Sequence, residues 1–138
     1  MIEDKRVESP PLIHQLEGRL KTYAEEAFVE YRRGRPRGCY DLLMLTFNST
    51  LAELKPEGLT LFERLESLVG QGKLDAEVVS LAEGLPFLVK HDRGISDMDL
   101  SYMKEDELFD LIRFLEVYFA SLQQRMGRLP GLVPGASG

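Results

Sequence analysis

The chain predicts an all-α protein, a single bundle of four or five helices closed by a long amphipathic C-terminal helix. Three observations carry this. Apolar residues recur three or four apart through most of the chain, no segment shows the apolar–polar alternation of a strand, and the punctuation between periodic segments is that of helix ends. With 138 residues and 43% hydrophobic content, one domain can bury a core without disulfides or metals. The organisation expected is a flexible N-terminus over 1–8, a helical domain over 9–126 and a flexible Gly/Pro-rich tail over 127–138, where "GRLPGLVPGASG" has little to bury.

The first helix is expected to start near Ser9 and Pro10, a capping side chain followed by a residue without a surplus N–H. Its inner face is Leu12, Leu16, Leu20, Tyr23, Ala27 and Tyr31, and Gly34 and Pro36 end it. A second helix runs from about Arg37 to Leu54 on the stripe Tyr40, Leu43, Met44, Phe47, Leu51 and Leu54, and "KPEG" closes it. Thr60 and Glu63 stand in capping-box spacing before Leu61, Leu65 and Leu68, and Gly70 and Gly72 stop that helix. Asp75 can cap a fourth helix carrying Val78, Val79, Ala82 and Leu85. Pro86 then removes a donor and crowds the preceding turn, so a break is expected near Gly84–Pro86. The last helix reads from about Tyr102 to Met126. Its seam of Leu108, Ile112, Leu115, Phe119, Leu122 and Met126 suits the domain's own core or, as an association seam, a partner helix.

Charge and composition exclude several functions. The net charge is −6, divided as +1 over residues 1–38 and −7 over the rest. Such a chain is poorly suited to wrapping a long polyanion, because that affinity comes mainly from neutralised phosphates. One local cluster remains, "YRRGRPRG", with Arg32, Arg33, Arg35 and Arg37. It reads either as cations complementing a helix C-terminus or as an anion or RNA contact. No apolar run approaches a membrane span and no secretory leader is visible, so the expected location is cytoplasmic with no membrane partner. The lone Cys39 can form no internal disulfide and reads as a small packing residue.

Metal and cofactor chemistry find no pattern. An EF-hand counted from Asp97 would place Tyr102 where glycine is needed and Leu108 where the bidentate glutamate belongs. His14 and His91 each lack a nearby second histidine or cysteine, so no metal is expected. Neither a phosphate-binding glycine loop nor a nucleophile elbow occurs, and no cofactor is implied. "NST" at Asn48 matches the glycosylation pattern by chance.

The order of features from Tyr31 to about Gln124 carries a resemblance: a helix after a glycine-bearing turn, then "LTLFERLESLVGQGKL", then the histidine segment "GLPFLVKHDRG", then the long closing helix. This resembles the HEPN superfamily of all-α domains, named for its higher-eukaryotic and prokaryotic nucleotide-binding members. The resemblance implies a HEPN-like bundle, and active members are dimeric, metal-independent RNA endonucleases. Many belong to toxin–antitoxin or antiviral defence systems. Their signature is an arginine, often followed by asparagine, then four to six intervening residues before a histidine. Here His91 matches the histidine, while the arginine falls on Pro86, the asparagine on Phe87 and one branch's later tyrosine on Arg93. Leu85, Gly84 and Glu83 further back supply no cation either.

In such a site histidine moves a proton and arginine stabilises charge growing on the phosphate, a donor often worth about 3 kcal/mol or more. Proline can offer neither charge nor N–H. Lys90 and Arg93 flank His91, although adjacent helical residues point about 100° apart. The resemblance therefore implies a degenerate member acting by protein association, as a homodimer or as the small subunit of a complex. The competing expectation is a divergent endonuclease using His91 with Lys90 or Arg93, fed by the arginine cluster.

Overall fold

A computed structural model describes residues 16, 18–92 and 105–127. Within them stand six helices and no strand: α1 Gly18–Arg32, α2 Pro36–Leu54, α3 Leu61–Gly70, α4 Ala76–Glu83, α5 Pro86–Asp92 and α6 Glu105–Met126. The all-α class is thus correct. The expected four or five helices become six because the break at Gly84–Pro86 separates α4 from α5 completely.

α1 differs from the long helix expected. Gly18 takes φ 61, a conformation that costs glycine little, and buried Leu16 precedes it outside any helix. The proposed start at Ser9–Pro10 lies outside the described residues, as do Leu12, His14, Arg93, the acidic loop at 97–99 and Tyr102. At the other end Gly34 (φ 78) turns the chain, and the three-residue link to Pro36 makes α1 and α2 an antiparallel pair. Gly38 lets this pair close up, because a Cβ there would lie 2.6 Å from the Glu30 carboxylate.

α2 has the stripe its spacing requires, with Tyr40, Leu43, Met44, Phe47, Leu51 and Leu54 all buried. It ends at Lys55, held at φ 53 with its N–H donated to the Leu51 carbonyl at 3.1 Å. Ahead of α3 the capping box is complete: Glu63 N–H donates to Thr60 Oγ1 at 3.1 Å, and Thr60 N–H to Glu63 Oε1 at 3.3 Å.

α2 and α6 meet at the centre. Phe47 sits edge-on to Phe114 at 5.4 Å, and one turn later the Thr50 and Tyr118 hydroxyls are 2.7 Å apart. The contact advances together along both helices, so they run parallel, with α3 to α5 between them in the chain. Thr50 spends its one proton on the Phe47 carbonyl at 2.6 Å, which makes Tyr118 the donor to Thr50. Burial pushes the Tyr118 phenol well up.

Leu108, Ile112, Leu115, Phe119 and Leu122 are all buried in this core. Of the two readings of the seam, the domain's own core is the one this packing matches. α6 uses that face against its own bundle, leaving a partner only what lies around it.

Candidate functional site

α5 brings His91 into the structure six residues after the break at Leu85, near the end of a seven-residue helix. Backbone position is all that is described for Lys90 and His91, and Arg93 lies outside the described residues. The positions before them are well defined. Pro86 is the exposed first residue of α5, and Phe87 is buried with its ring edge-on to Tyr40 at 6.0 Å. The place matching the signature's arginine therefore holds an uncharged ring, and the next one is core packing that fastens α5 to α2. Neither can meet a phosphate.

Tyr40 has a second property. Its hydroxyl is buried without a hydrogen-bond partner among the described residues. Burial, then the nearby Asp41 and Glu107 carboxylates, push the phenol up to about 12, against the lowering effect of Arg37. Cys39 beside it is fully buried, and burial followed by the Glu30 charge pushes its thiol up to about 12. A thiol so protonated at neutral pH is no nucleophile.

The four arginines do share one end of the α1–α2 pair, but acids accompany them. Glu30 lies 3.8 Å from Arg33 and 3.6 Å from Arg35, and Asp41 accepts from Arg37 Nε at 3.1 Å. Arg32 is exposed in the last turn of α1. The adjoining hollow of about 480 Å³ is lined by Glu26, Glu30 and Asp41 against the single cation Arg33. That balance repels phosphate more than it attracts it, so the cluster behaves as surface ion pairs of small individual worth. The spacings Glu30–Arg33 and Arg37–Asp41 are legible pairs at three and four residues. Among the described residues no three His, Cys, Asp or Glu side chains converge as a metal site requires, and no helix is long and apolar enough to cross a membrane.

A different site emerges between α4 and α6. Asp75 stands at the N-cap of α4, yet its side chain makes no cap bond. It reaches across to α6 instead: its Oδ1 accepts from Arg125 at 2.6 Å, its Oδ2 accepts from Ser121 Oγ at 3.1 Å, and its N–H donates to Ser121 Oγ at 2.8 Å. The Arg125 bond, helped by Ser121, holds the Asp75 carboxyl below the usual 3.8 despite some desolvation. This latch fixes one end of an open groove of about 580 Å³, lined by apolar Val78, Leu81 and Val117 and by Glu77, Ser80 and Gln124. Leu81 is 39% exposed and Val117 42%.

The periodicity that marks the core does not single these two out, because each lies beside the buried stripe of its helix. The only signal was that both are large apolar residues left over once the inner faces are assigned. No protein-family model, curated protein or solved structure matches the chain.

Proposed function

We propose that the protein is a HEPN-like helical domain that has lost the ribonuclease site and works by association, as a homodimer or as the small subunit of a complex with another protein. The observation that carries this reading is the pairing of exposed Leu81 and Val117 on adjacent helices around one groove. Scattered apolar residues are ordinary on a protein surface, whereas two sharing a latched groove form a surface that gains by being covered.

The case against hydrolysis is chemical. The side chains of Pro86 and buried Phe87 offer no donor to a phosphate, and three of the four cluster arginines are paired with Glu30 or Asp41. A toxin–antitoxin or defence complex is the setting the resemblance favours.

Cleavage of labelled single-stranded RNA by the wild type and His91→Ala, without added metal, tests the reading. No cleavage by either is expected. Cleavage by the wild type that disappears in the variant would establish the divergent endonuclease, with Lys90 or Arg93 supplying the charge.

A further inference from the structure

Of the four exposed large apolar side chains among the described residues, Leu45 belongs to α2 and Leu59 to the segment before α3, while Leu81 and Val117 face one groove. Its floor and walls are mixed in a useful way. Val78, Leu81 and Val117 offer apolar contact, and Ser80 and Gln124 offer hydrogen bonds along the rim. A groove between two helices accepts a third that lays down residues spaced three and four apart.

Charge selects the occupant. Among the described residues the groove is lined by Asp75 and Glu77 and by no Lys or Arg. Asp75 is committed to Arg125, and Glu77 is exposed. Glu83 at the end of α4 and Glu116 beside Val117 on α6 are exposed carboxylates as well, and the whole chain carries a net charge of −6. A second copy would oppose this surface with the same sign. A cationic partner would neutralise it.

We propose that the α4–α6 groove docks a basic amphipathic helix of another protein, its apolar stripe covering Leu81 and Val117 and its lysines or arginines facing Glu77 and Glu116. The proposal rests on the association reading and narrows it from either kind of partner to a heterologous, cationic one.

The probe is a short fluorescent helical peptide of leucine and lysine, compared by anisotropy with its leucine–glutamate counterpart on the full chain. Only the lysine peptide is expected to bind. Val117→Asp and Leu81→Asp should each weaken it about tenfold or more, since each places a charge in the apolar contact. Glu77→Lys, an exposed change that keeps the test available if an aspartate variant does not fold, should weaken it severalfold at low salt and less at high salt. Leu45→Asp, on a remote helix, should leave it unchanged.

Equal binding of the glutamate peptide, equal loss on Leu45→Asp, or no binding would overturn the proposal. So would self-association abolished by Val117→Asp, which gives the groove to a second copy, or tighter binding on removal of residues 128–138, which gives it to the chain's own end. Either of those leaves association standing. Cleavage of RNA dependent on His91 would remove the association reading while leaving the peptide result intact.

Discussion

Two buried tyrosines should respond in opposite directions to loss of the same atom. Tyr118 donates to Thr50 at 2.7 Å and Tyr40 has no partner among the described residues, although both side chains are almost wholly buried. Tyr118→Phe removes one net hydrogen bond and leaves Thr50 its bond to the Phe47 carbonyl, so the cost is about 1 kcal/mol. Thr50→Val is more severe: it orphans the Tyr118 hydroxyl, which costs about 1–3 kcal/mol. Joining the two changes removes both polar groups, and the double variant should fall short of the sum by about 1 kcal/mol or more.

Tyr40→Phe instead discards a hydroxyl already desolvated without compensation. It should be neutral or stabilising by up to about 1 kcal/mol. Urea unfolding of the four variants and the wild type reads these differences directly, and in thermal melts each kcal/mol corresponds to about 3–6 °C for a chain of this size. A Tyr40→Phe loss as large as that of Tyr118→Phe, or strict additivity of Thr50→Val with Tyr118→Phe, would refute the assignment of partners in this core.

Further consequences follow from the loops and the latch. Gly58 sits at φ 123, and a Cβ there would lie 2.7 Å from Glu63 Cβ and 3.0 Å from its carbonyl carbon, so Gly58→Ala should cost about 1–3 kcal/mol in chemical unfolding. Cys39, fully buried with its thiol pushed up to about 12, should resist maleimide at neutral pH until the protein is unfolded, and rapid labelling of the native chain would contradict its placement. Asp75 has a folded pKa below its ordinary 3.8, so its stabilisation is complete above that value and is lost as pH falls through the lower folded one. The stability gap between wild type and Asp75→Asn should therefore be constant from neutral pH down to about 5 and close in stronger acid; a gap that closes already near neutrality would assign the titration to another group.

Much of the bundle was legible because local chemistry and tertiary structure agree. The Thr60–Glu63 box, the α2 stripe and the interruption before Pro86 depend on neighbours within a turn or two, and periodicity reports such features well. What was not legible depends on residues distant in the chain. Asp75 has the right type and place for a helix cap, but Arg125 and Ser121, fifty and forty-six residues away, take its oxygens. Thr46 and Thr50 are fully buried on a helix whose apolar stripe omits them, because their hydroxyls bond the Leu42 and Phe47 carbonyls and so carry no desolvated polar group inward.

The candidate sites show the same division. The pairing of Glu30 with Arg33, and of Arg37 with Asp41, could be read from helical spacing alone. Which face of α6 remained uncovered could not. A four–three seam shows that a helix buries one stripe, but whether its own domain or a partner supplies the cover is decided by how α2 and α4 return to it.

Association through the α4–α6 groove is tested most directly by amide hydrogen exchange of the full chain with and without the leucine–lysine peptide. Slowed exchange confined to α4 and to the 117–124 stretch of α6, and absent in Val117→Asp, is the expected footprint. Protection centred instead on residues 30–41, or none anywhere at saturating peptide, would contradict it.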